Sequence, residues 1–184
     1  MKAGWAIRAA ALASFAVLAS AAPRAHAQSL EYPVKAAFLY KFAPFVEWPP
    51  RAFDGAASPL NICIVGHDPF GAALDRAVAG KRLGARPVVA RRMEAIGANS
   101  GCHIAYFGGS VRQSVADGLA AVQGAPVLTV TDQSMASARG AVHFVVSENR
   151  VRFHIDDTAA SRNGVSLSSK LMQLALSVKR RGRG

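Results

Sequence analysis

Acidic side chains are scarce in this chain: 11 Asp and Glu stand against 22 Lys and Arg, and there are two cysteines and five histidines in 184 residues. Each shortage excludes some chemistry. Eleven acids spread along the sequence give poor support to a paired-carboxylate hydrolase. Beyond the N-terminal segment, His67, His103, His143 and His154 lack the short spacings of zinc ligands, so no metal is expected. Gly66-His67-Asp68-Pro69-Phe70-Gly71 has the glycine spacing of a phosphate loop, but Ala72 and Ala73 stand where Lys and Ser/Thr are required. That segment reads instead as a strand-to-helix turn with Asp68 as a helix cap, a weak anion site being the alternative. Gly108-Gly109-Ser110-Val111-Arg112 lacks the second glycine of a nucleophile elbow. Cys102 and His103 are strand neighbours whose side chains point to opposite faces, so they cannot act as nucleophile and base together. No catalytic group, cofactor or enzymatic activity is therefore expected, and an exported hydrolase using Cys102 or Ser110 is the weakest reading.

Long hydrophobic runs are missing too, except at the start. Lys2 and Arg8 precede an apolar run over residues 9–19, and Ala25-His26-Ala27 forms an A-x-A cleavage site ahead of Gln28. Residues 1–27 are read as a signal peptide, because the run falls short of the roughly 20 residues that a membrane span needs. The expected localisation is the periplasm, after cleavage. Residues 28–184 then form one α/β domain with a basic C-terminal tail, since no repeat or low-complexity linker divides them. Removal of the signal lowers the net charge from +11 to +8, and four of those charges lie in the last six residues. That tail reads as the frayed end of a final helix. In an exported protein such charge suits an acidic protein partner or an anionic membrane surface, not nucleic acid.

Cys63 and Cys102 both lie in apolar, strand-like segments. In an oxidising compartment two such cysteines usually pair, and closing a loop of about 40 residues stabilises by roughly 3–4 kcal/mol. Two buried thiols that never meet are the alternative.

Periodicity sets out the rest of the chain. Val34, Phe38, Phe42 and Phe45 recur at helical spacing, and the double proline after Trp48 ends that helix. Tyr40, Phe45 and Trp48 exceed one core stripe and suit a groove or partner. Strands are expected at residues 60–66, 87–90, 102–107 and 126–130, with helices at 71–79 and 111–122. This alternation predicts a three-layer, mainly parallel α/β sheet. Residues 142–146 and 151–155, joined by Ser147-Glu148-Asn149-Arg150, predict an antiparallel hairpin at the sheet edge near the C-terminus. Its second strand turns Val151, Phe153 and Ile155 one way and Arg150, Arg152 and His154 the other, giving a cationic face. Asp156-Asp157 caps a short helix, and Leu167, Leu171, Leu174 and Val178 stripe the last one.

Taken together, these segments resemble the YfiR/HmsC family of periplasmic proteins. The resemblance rests on Tyr32-Pro33-Val34-Lys35-Ala36-Ala37-Phe38-Leu39-Tyr40-Lys41-Phe42, Phe45-Val46-Glu47-Trp48-Pro49, Leu60-Asn61-Ile62-Cys63-Ile64-Val65-Gly66, Asn149-Arg150-Val151-Arg152-Phe153-His154-Ile155-Asp156 and Leu167-Ser168-Ser169-Lys170-Leu171. It implies a non-enzymatic repressor that binds the periplasmic sensor region of an inner-membrane diguanylate cyclase and restrains cyclic-di-GMP synthesis, and with it biofilm and exopolysaccharide. Dimers and disulfide-linked redox control are associated with the family, and an outer-membrane lipoprotein is a further implied partner. Some relatives carry a second cysteine pair near the hairpin; this chain does not, so the remaining bridge is expected to be structural. The implied contact surface takes in Glu47, Trp48, Arg152, His154, Ser166 and Ser168. A periplasmic sensor binding a small molecule at the C-terminal ends of the strands is the alternative.

Overall fold

The structure, a computed structural model, describes residues 22–182, with side chains from Leu30 onwards. The expected signal peptide falls mostly outside these residues, as does Arg183 of the tail. The described helices and strands are α1 (Ala22–Phe42), β1 (Val46–Glu47), β2 (Leu60–Gly66), α2 (Ala72–Val78), β3 (Arg82–Leu83), β4 (Arg86–Met93), β5 (Ile104–Gly109), α3 (Val115–Ala121), β6 (Leu128–Asp132), β7 (Val142–Ser147), β8 (Arg150–Asp156), α4 (Asp157–Arg162), β9 (Ser166–Leu167), α5 (Ser169–Leu174) and β10 (Ser177–Lys179). Eight strands form one sheet in the order β10-β8-β7-β6-β5-β2-β4-β3, while β1 and β9 make a separate antiparallel ribbon. The pairs β4/β2, β2/β5, β5/β6 and β6/β7 are parallel and β7/β8 is antiparallel, as the sequence predicts.

Continuous apolar strands follow from burial on both faces. Ile62, Ile64, Ile104 and Tyr106 pack into the larger core with α1 and α2, while Cys63, Val65, Ala105 and Phe107 face a second core with α3. Under α1, the rings of Phe38, Phe42, Phe144 and Phe153 lie with centroids 5.2–6.1 Å apart. Such pairs add about 0.5–1.5 kcal/mol each beyond the area they bury. The hairpin turns at Glu148 and Asn149, both at positive φ (52° and 57°), the pairing a tight primed turn requires. Gly66 ends β2 at φ 78°, where an added Cβ would lie 2.2 Å from the Gly109 carbonyl oxygen. Only glycine fits there.

Several expectations are corrected. The first helix stops at Phe42, because a 3-10 turn over Ala43–Phe45 and strand β1 take up the residues before Trp48. Its buried stripe is Lys35, Ala36, Leu39 and Phe42, whereas Val34 is 42% exposed. Helix α3 begins at Val115 and not 111, capped by Ser114, whose side chain accepts the Asp117 N–H. Asp68 caps the turn and not the helix: its Oδ1 accepts the N–H groups of Phe70 and Gly71 at 2.8 and 3.1 Å. The last helix is only Ser169–Leu174. Leu167 belongs to β9, Leu174 is exposed and Val178 sits in β10, so no four-residue stripe forms. The basic tail accordingly leaves a strand, with Lys179 Nζ 3.0 Å from Asp156 and Arg181 Nε 2.8 Å from Asp157. The hairpin is also not the outermost element at its end of the sheet, since β10 pairs parallel to β8 beyond it.

Candidate functional site

Cys63 and Cys102 are joined, with Cα atoms 5.8 Å apart and sulfurs almost fully buried. The bridge ties β2 to the residue pair leading into β5 and leaves Cys102 without a thiol. Ser110 is equally committed: its hydroxyl donates to the Glu94 carbonyl at 2.9 Å and accepts the N–H groups of Arg112 and Gln113. Both residues therefore hold turns and strands together and do not present a nucleophile.

His103 anchors the end of the sheet from which β5 starts. Its Nδ1 accepts the Asn61 N–H at 3.0 Å, so Nε2 carries the proton and donates to the Ala52 carbonyl at 2.9 Å. Burial pushes its pKa down, which favours the neutral ring. Phe53 stacks on this imidazole at 4.3 Å, and the Arg86 guanidinium lies over the Phe53 ring at 3.7 Å. The Trp48 indole N–H donates to the His103 carbonyl at 3.2 Å. Beside it, Glu47 pairs with Ser166 on the β1/β9 ribbon, and Ser168 caps α5 by accepting the Leu171 N–H. The structure thus gathers Glu47, Trp48, Ser166 and Ser168 in one neighbourhood, where Glu47 and Ser166 are exposed and Trp48 is half-buried.

Arg152 and His154 stand apart from that group. They lie on β8 opposite Val145 and His143, on the face turned away from α1, and the His154 Nδ1 meets the Ser177 hydroxyl at 2.7 Å. No hydrogen bond or ion pair among the described residues connects them with Trp48.

At the opposite end of the sheet, where the parallel strands finish, a buried ion cluster ties α1 to β6. Lys35 is fully buried and its ammonium binds both Glu31 and Asp132. Asp132 also accepts the Ser134 N–H and hydroxyl, each at 2.9 Å. The neighbouring Tyr106 is completely buried, and its hydroxyl has no partner among the described residues. Burial drives the pKa of that phenol far above its usual value. The arrangement fastens α1 to β6, while a cavity of about 610 Å³ beside the ends of β5 and β6 is lined by Gly108, Gly109, Ser110, Val115, Met135 and Ala138.

Further along α1, a groove of about 460 Å³ runs between the helix and the hairpin tip, lined by Leu30, Val34, Phe38, Val146, Arg150 and Val151. Leu30, Val34 and Val146 are 65%, 42% and 39% exposed. Three large apolar side chains open to solvent at one place form the kind of patch that marks interaction surfaces. Sequence reasoning missed it because helical spacing placed Val34 in the core.

Among the described residues, no helix is long and apolar enough to cross a membrane. The family model described as YfiR/HmsC-like matches residues 32–176, a stretch that includes the disulfide and the groove residues from Val34 to Val151 but not Leu30. No curated protein sequence matches the chain.

Proposed function

The chain belongs to the YfiR/HmsC-like family, and from that premise we propose that it is a periplasmic repressor that binds the periplasmic sensor region of an inner-membrane diguanylate cyclase and lowers cyclic-di-GMP synthesis. Family membership over residues 32–176 is the observation that carries this reading; it supports a regulator of diguanylate cyclase signalling without catalysis of its own. In the full reading, residues 1–27 direct export, residues 28–184 act as one domain, and a homodimer and an outer-membrane lipoprotein modulate the complex. Repression of this kind needs differential affinity for the inactive cyclase and no nucleophile.

The contact surface we propose is centred on the α1/hairpin groove. Its apolar rim of Leu30, Val34 and Val146 is exposed, and Arg150 at the hairpin turn adds a cation beside it. Of the residues named from sequence, Glu47 and Ser166 remain as a secondary exposed edge, and Arg152 and His154 as a flanking cationic face. Trp48 and Ser168 are occupied in holding their own segments, and we assign them support of that edge.

The test compares cellular cyclic-di-GMP in a strain lacking the gene, in the same strain complemented with the exported protein, and in one complemented with Val146→Asp. A rise on deletion, reversed by the wild-type protein and at most weakly by the variant at equal abundance, supports the reading. Unchanged cyclic-di-GMP on deletion sinks the repressor role, and full rescue by Val146→Asp removes the groove from it.

A further inference from the structure

On the α3 side of the sheet a small cavity of about 190 Å³ opens between α3, α4 and the segment leading into β7. Thr129 and Gly140 form its floor, and Arg139, Arg162 and Gln123 stand at its walls. Neither guanidinium has an acid within ion-pair distance among the described residues. The acids nearest in sequence to Arg162 are already engaged, Asp156 by Lys179 and Asp157 by Arg181. Arg92, by contrast, bridges Asp68 and Asp75, and Arg86 reaches the carbonyls of Gly55 and Ser58. Arg76 on α2 is, like Arg139 and Arg162, without an ion pair among the described residues, but it does not line this cavity.

The remaining polar groups of the cavity are donors or hold spare donors. Thr129 is 3% exposed, and its Oγ1 accepts the Ala141 N–H at 2.9 Å, which leaves the hydroxyl hydrogen free to donate. The Gln123 amide has no hydrogen-bond partner among the described residues, whereas the Asn163 side chain is committed to Gly124 and Val127. No carboxylate lines the cavity. The carbonyl end of α3 is partly closed off, since Ala120 accepts the Gln123 N–H at 3.1 Å. Arg139 also adds positive potential at the neighbouring His143, whose pKa is held down by burial and by that cation.

We propose that this cavity binds a small oxyanion, a carboxylate or a phosphate, gripped by Arg139 and Arg162 with Thr129 and Gln123 as neutral donors. Planar guanidinium groups match both anions with paired hydrogen bonds. The volume is well below that of sites for drug-sized ligands, which limits the ligand to a few heavy atoms around its charge. The proposal is independent of the cyclase reading, because the cavity lies across the sheet from the α1 groove.

The test titrates the exported protein with inorganic phosphate and, separately, with succinate, by calorimetry and thermal unfolding at ionic strength fixed with chloride. Saturable binding of either anion is expected, and the tighter of the two assigns the ligand to phosphate esters or carboxylates. The double variant Arg139→Gln/Arg162→Gln is expected to weaken it at least tenfold while folding normally, because both side chains are exposed. Arg76→Gln, on the surface of α2, serves as the charge control and leaves it unchanged. Absence of saturable binding for both anions, or equal loss in Arg76→Gln, overturns the proposal.

Discussion

Breaking the Cys63–Cys102 bridge frees a loop of 39 residues in the unfolded chain. In the chain-entropy treatment a loop of that length corresponds to about 13 cal/mol/K, or about 4 kcal/mol at 25 °C. For a domain of about 150 residues each kcal/mol moves Tm by about 2–4 °C, so reduction is expected to lower Tm by about 8–16 °C. The assay is far-UV circular dichroism on the wild-type protein, oxidised and then reduced after unfolding and refolded in a thiol-free reductant, so that no core atom is deleted. Burial of both sulfurs adds a kinetic expectation: under native conditions the reductant acts slowly, at a rate set by local opening. A Tm loss below about 4 °C would refute the reasoning, since it would mean that the bridge does little to restrict the unfolded chain.

Other outcomes follow from single contacts. Lys35→Met removes the cation between Glu31 and Asp132 and leaves a buried carboxylate, at an expected cost of about 3–5 kcal/mol; urea unfolding that shows under 1 kcal/mol would disprove the role given to this ion cluster. A Cβ at Gly108 would fall 2.0 Å from the His67 carbonyl oxygen, so Gly108→Ala is expected to destabilise by about 2 kcal/mol or more, and a neutral result in the same assay contradicts that close approach. His103 and His143 both have pKa values lowered by burial, so the unfolded chain takes up protons first. Their stabilising effect is complete above about pH 6.5 and is lost as pH falls through that value toward the folded pKa values. Denaturant midpoints that stay constant from pH 7.5 to 5.5, or fall equally in His103→Gln and wild type, would count against His103.

The sheet was legible because its signals are local. The run Leu60-Asn61-Ile62-Cys63-Ile64-Val65 has no polar alternation, which only a strand buried on both faces tolerates, and Glu148-Asn149 between two alternating runs has turn chemistry that needs no distant partner. What escaped depends on pairing across the chain. Ser166–Leu167 becomes a strand only because Val46–Glu47 lies against it, and Ser177–Lys179 only because β8 offers an edge. A spacing of four from Leu167 to Leu171 imitates a helix that the neighbouring strands override. The sites divide in the same way. The cysteine pair was readable from compartment and number, whereas the groove joins Val34 to Val146, and the anion cavity joins Arg139 to Arg162 through the positions of a loop and a helix. Lys35 was invisible as a core residue, because its partner Asp132 is 97 residues away.

The hydrogen bond from Trp48 to the His103 carbonyl also supplies a built-in optical reporter. Of the two tryptophans in the sequence, Trp5 lies in the segment expected to be removed on export, so emission from the exported protein comes from one indole. That indole sits edge-on to Phe53 and to the His103 imidazole, with ring centroids 6.3 and 6.2 Å away. Imidazole protonation, displacement of residues 50–53 or loosening of the β1/β9 ribbon would each alter its spectrum or lifetime. Events at this end of the sheet are therefore observable in unlabelled protein.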